Sequence, residues 1–180
     1  MTGRSLRFAA AIFASLLLAA QAHPQKEKRD PLTASEIEEI RLAGIDPNGR
    51  VSIYTRILNE HAEKIKGLTN RAKSEARARR LDGELQDFTA LMDELGSNLD
   101  TYSDRKADIR KALKPLPEAS QHWLVGLRAL AGEPSFDLSR KEAIESAEDL
   151  ADQVTRLANE QTEYFNLHKD QRGQDRAEPK

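Results

Sequence analysis

The chain has no cysteine, a single tryptophan and only 5% aromatic residues in 180. The missing thiol excludes a disulfide framework, a thiolate metal or haem site and a cysteine nucleophile. Charge of one sign is scarce as well. With 28 basic against 30 acidic side chains the formal net charge is −2, too little positive excess for a general nucleic-acid coat. The longest apolar run, residues 8–20 broken only by Ser15, is about 13 residues, short of the ~20 that a spanning helix needs. What is present is 38% hydrophobic and 32% charged, the composition of a modest helical protein.

That apolar run follows Arg4 and Arg7 and leads to Ala20-Gln21-Ala22 before His23. A positive start, a short apolar stretch and small side chains two apart are what export and signal peptidase require, so residues 1–22 read as a signal peptide. The chain is then expected in the bacterial periplasm or outside the cell, mildly acidic once processed, with no transmembrane segment. In an oxidising space without cysteine, packing has to supply its stability.

Residues 23–32 are charged, hold two prolines and lack periodicity, which predicts a flexible leader. A single helical domain follows over 33–168. Thr33 with Glu36 forms a capping box, because each side chain accepts from an otherwise unpaired helix-end amide. Gly44 stops this first helix. Asp46 then caps a second one, over about 47–69, with Pro47 in a first turn where no amide is missed. Along it Val51, Tyr54, Leu58, His61, Ile65 and Leu68 repeat at heptad spacing. The segment 32–61, a capped acidic helix joined to a second helix through Asp-Pro, resembles the opening of uncharacterised secreted bacterial helical proteins. The resemblance implies export and a helical fold, and no activity.

From Leu81 to Leu130, alternating steps of four and three meet 15 positions, 13 of them apolar or aromatic where about six would be expected by composition. Pro115 and Pro117 interrupt this stripe, and an interior proline costs about 3 kcal/mol, so a kink or break is expected there. Because the phase continues through them, the reading favours a kinked but continuous helix over 75–131, about 85 Å long. Residues 132–138 read as a loop. Ser139 with Glu142 forms another capping box for a last helix running to His168, and 169–180 read as a disordered tail. The fold class is therefore all-α: an elongated antiparallel helical bundle of coiled-coil-like helices, with one long kinked helix flanked by two shorter ones. Turning back at 70–74 brings residues summing to about 144 level, Arg50 facing Glu94 and Arg56 facing Asp87. A rod only two helices thick invites self-association or a partner along an open face.

Catalytic patterns are sparse. His-Glu-x-x-His, Glu-x-x-His pairs and Gly-x-Ser-x-Gly are all absent, and adjacent acids such as Asp93-Glu94 fall on exposed faces. His61 sits in the apolar stripe and reads as a core or boundary residue. His23 beside Pro24 lacks the amide that completes a terminal copper site, and Glu118 with His122 reads as solvated charge. No cofactor is expected.

Charge distribution is more telling. Lys64, Lys66, Arg71, Lys73, Arg77, Arg79 and Arg80 lie within 17 residues against one acid, Glu75, whereas residues 82–104 hold seven acids and no base. A basic hairpin tip would attract an anionic partner: lipid head groups, envelope polymers or an acidic protein. Nothing aromatic is interleaved with the charge, so nucleic acid is not the expected partner. The sequence therefore predicts a non-catalytic interaction or structural protein of the envelope. A periplasmic holding chaperone using an apolar groove is the alternative, and a small metal-binding or hydrolytic protein is the third.

Overall fold

The computed structural model describes residues 30–173. The signal peptide and most of the leader, with the last seven residues of the tail, lie outside them. The described residues form six α-helices: α1 Ala34–Leu42, α2 Pro47–Thr69, α3 Glu75–Asp104, α4 Arg110–Leu113, α5 Leu116–Ala129 and α6 Asp137–Leu167, with no strand among them. This is an elongated, all-helical bundle. The capping box at α1 is formed, the Thr33 amide donating to Glu36 Oε2 at 2.6 Å and the Glu36 amide to Thr33 Oγ1 at 3.3 Å. Gly44 follows at φ +55°, a left-handed conformation that costs glycine little. Asp46 stands at the cap of α2 without a side-chain bond to it, while Pro47 occupies the first turn.

The apolar stripe is the core. Leu81, Leu85, Phe88, Met92, Leu95 and Leu99 are all essentially inaccessible, as are Ile109, Leu113, Leu116 and Trp123 beyond them. The α2–α3 pair is antiparallel in close to the expected register, with the Tyr54 hydroxyl donating to Glu94 and His61 meeting Glu84. Arg56 turns instead to Glu39 and Glu60.

The continuous helix over 75–131 is not formed. Helix α3 ends at Asp104, and Lys106 adopts φ +55°, which turns the chain back on itself. Helix α6 runs parallel to α3, shown by Ser139 on Asp82, Ser146 on Asp93 and Gln153 on Gly96, and α5 pairs antiparallel with α6 through Arg128 and Glu148. The α5 direction is therefore opposite to that of α3. The kink expected at the proline pair is present, but within the shorter segment 110–129, where Pro115 separates α4 from α5 and Pro117 lies in the first turn of α5. Phase survived the reversal because each helix sets its own stripe, and Tyr102 and Ile109, seven residues apart, happen to fall in register across the turn.

Four long elements thus pack around one core, about 45 Å long rather than 85 Å. Each is adjacent to two others, and α3 and α5 face across the diagonal through an edge-to-face contact of Phe88 and Trp123, centroids 5.9 Å apart. Two further expectations are revised. Ser139 does not cap α6: the helix begins at Asp137, and the buried Ser139 hydroxyl donates to Asp82 Oδ1 at 2.6 Å. The chain past His168 continues as a 3₁₀ turn, Lys169–Gln171, with Arg172 Nε on the Phe165 carbonyl and the Gly173 amide on Asp108. The first residues of the expected tail are therefore bound to the bundle.

Candidate functional site

Two concave surfaces flank the last turns of α2, both at the end of the bundle where α2 passes into α3 and α5 into α6. The first is a basic groove of about 610 Å³ between α2 and α3. Helical spacing puts Lys64, Gly67 and Leu68 on one edge of α2, with Arg71 in the loop just past its end, and Ala76, Arg79, Arg80 and Gly83 on the facing edge of α3. Glycine and alanine leave the floor shallow, so the guanidinium and ammonium groups are what a ligand meets. Glu84 is the one acid lining it, and it is drawn inward, 2.8 Å from Nδ1 of the buried His61.

The seven predicted contact residues divide into three kinds. Lys64, Arg71, Arg79 and Arg80 line the groove, all exposed, with Arg79 bound to Glu75 one turn earlier. Lys66 faces away from it and pairs with Glu63 at 3.2 Å, and Lys73 lies in the loop 3.5 Å from Glu133. Arg77 is structural. Only 7% exposed, it donates from Nε to the Leu68 carbonyl at 2.9 Å and from Nη1 to Glu133 at 2.9 Å. It thereby satisfies the C-terminal carbonyls of α2 and ties them to the loop before α6. Bonding to that guanidinium holds the Glu133 carboxyl below its ordinary range.

The second surface, which the sequence reading did not locate, is an apolar slot of about 420 Å³ between α2 and α5. These helices run parallel, with Asn59 beside Trp123 of α5 and, further back along α2, Asn48 beside Ala112 of α4. They pack less closely than the other neighbours because their facing residues are small: Ala62 and Thr69 on α2, Gly126 and Ala129 on α5. Phe88 and Trp123 form the inner wall, and Trp123 Nε1 is satisfied by Asn59 at 2.8 Å. The rim carries the exposed Val125, with His122, Glu63 and Lys66.

The described histidines do not converge. His61 is in the core, His122 on the slot rim, and His168 stacks on Tyr164 at 4.2 Å. Among the described residues no three His, Cys, Asp or Glu side chains are grouped to hold a metal ion. The spacing Ser-x-x-Lys occurs once, at Ser103 and Lys106, but there it forms the exposed reversal, the lysine ammonium 5.6 Å from the Tyr164 ring. Tyr54 is the most perturbed group: burial and its bond to Glu94 raise its phenol far above the ordinary value, which suits a structural donor rather than a proton-transfer group. No described helix is long and apolar enough to cross a membrane. No family model, curated protein or solved structure matches this chain.

Proposed function

We propose that this chain is an exported, non-catalytic helical protein of the bacterial envelope that works by contact, binding an anionic partner in the basic groove at the end of α2. The observation that carries the reading is the convergence of Lys64, Arg71, Arg79 and Arg80 on one groove. Four exposed cations, three on facing helix edges and Arg71 in the loop between them, create a local positive potential on a chain whose overall charge is slightly negative. Basic residues in the first turns of α3 also oppose its dipole, a small cost that local stability does not explain. The leader-like residues 1–22 support export.

Retention on vesicles containing anionic phospholipid, or on envelope fragments, tests the reading. The processed chain should bind at low salt and release as salt rises, because screening weakens exposed charge pairs. Lys64→Gln, Arg71→Gln, Arg79→Gln and Arg80→Gln combined should abolish retention with helicity unchanged. Arg77 is left intact because its loss would disturb the loop rather than the groove. Equal retention of that variant would remove the proposal. The holding-chaperone reading would draw on the apolar slot, and it predicts suppressed aggregation of unrelated denatured proteins.

A further inference from the structure

We infer that the slot between α2 and α5 binds the acyl chain of a single-chain anionic amphiphile, such as a fatty acid, with the chain end against Trp123 and the carboxylate at the basic loop. Shape gives the class of guest. The slot extends along α2 from Ala62 to Asn70 and along α5 from Trp123 to Leu130, about 10 Å, and its volume of about 420 Å³ is at the small end of ligand sites. That space takes one chain and not two. Its wall is apolar, and the one polar group on the inner aromatic pair, the Trp123 indole N–H, already has its partner in Asn59. A guest at that end has no hydrogen bond to supply and needs none.

Direction follows from charge. The inner end is closed by Trp123 and Phe88, whereas the outer end, at Asn70 and Leu130, meets the loop that carries Arg71 and Lys73. Lys66 stands on the rim toward that same end, paired with Glu63, and Lys73 is paired with Glu133. A carboxylate head would compete with those acids for the two lysines and meet Arg71, which also lines the groove across α2. An apolar chain with a negative head is complementary to both ends at once. An uncharged chain matches only the inner end. The slot itself exists because Gly126 and Ala129 are small: a Cβ built on Gly126 meets nothing within 4 Å. The head-group part of this inference rests on the proposed attraction of the tip for anions, and the chain part does not.

Trp123 is the only tryptophan, so its fluorescence reports the inner end directly. Bromine quenches on close approach. Titrating the processed chain with ω-bromododecanoate, below the concentration at which it aggregates, should quench saturably, and α-bromododecanoate should quench several-fold less at equal occupancy. Gly126→Leu and, separately, Ala129→Leu fill the slot from exposed positions and should weaken the ω-bromo titration by about tenfold or more with helicity retained. The groove variant with four glutamines should still quench with uncharged ω-bromododecanol. That result would uphold the slot whether vesicle retention is lost or kept, and so whatever becomes of the envelope reading. Equal quenching by the α- and ω-bromo acids, undiminished quenching in both leucine variants, or quenching by brominated diacyl vesicles but not by the free acid would each overturn the inference.

Discussion

The two ends of the bundle solve opposite problems. At one, where α3 turns into α4, the chain reverses inside a set of satisfied polar contacts. The buried Gln161 accepts from the Ile109 amide at 3.2 Å and donates to the Ala107 carbonyl at 3.0 Å. Asn48 does the same from α2, donating to the Asp108 carbonyl at 2.7 Å and accepting from the Ala112 amide at 3.0 Å. Asp108 pairs with Arg110 at 2.6 Å and accepts from Gly173. At the other end, side chains facing across the helix seams are small or charged, and the seams stay open as a groove and a slot. A heptad stripe sets which face is inward. Residues flanking the stripe decide whether a seam closes, and at this end they leave room for a guest.

That contrast can be broken first at the closed end. Leu113 is 1% exposed beneath the turn, and Leu113→Ala should cost about 2–5 kcal/mol in urea unfolding, the range for buried leucines. Gln161→Leu comes next, at about 1–3 kcal/mol, because the Ile109 amide and Ala107 carbonyl lose their partners inside the bundle. A near-neutral result would mean that the turn is not clasped.

Two glycine exchanges sharpen the comparison with effects of opposite origin. Lys106→Gly should stabilise by about 0.5–1 kcal/mol, since glycine adopts the left-handed conformation without strain. In a continuous helix the same change would cost about 1 kcal/mol, so its sign alone separates the two architectures. At the open end Gly126→Ala should add up to about 1 kcal/mol, as helix propensity improves with no neighbour in the way.

Acid should act at both ends. Bonding to Arg110 lowers the Asp108 carboxyl, and bonding to Arg77 lowers that of Glu133. A carboxyl depressed in the folded state stabilises fully above its unfolded value and loses that contribution as pH falls through the folded one. Stability should therefore be flat near neutrality and decline in acid, from about pH 4 downward. Asp108→Asn and Glu133→Gln should each make that decline shallower, read as urea midpoints against pH. The smallest effect belongs to the four-glutamine groove variant, whose stability should stay within about 0.5 kcal/mol of the parent.

Much of this was legible in the residues. The capping box at Thr33, the start of α2 at Pro47 and the buried stripe from Leu81 to Leu99 all follow from local spacing. The reversal was masked because Tyr102 and Ile109 keep phase across it, yet the stripe's one charged position, Lys106, marks where it happens. Arg77 could have been set apart from the other cations, since stepping back four from Leu81 places it on the inward face. The slot had no local signal. It depends on the pairing of α2 with α4 and α5, an offset of 64 residues seen in Asn48 with Ala112 and Asn59 with Trp123.

The reversal is what brings the groove and the slot to one end, and it is open to direct measurement because the chain has no cysteine of its own. Spin labels on Lys73→Cys and Ala131→Cys, both exposed, would report the distance between the loop after α2 and the end of α5 by double electron–electron resonance. The Lys73–Glu133 approach of 3.5 Å predicts a narrow distribution at short range, under about 25 Å. A helix continuous over 75–131 would hold the labels about 80 Å apart, and a distribution near that value would contradict the account.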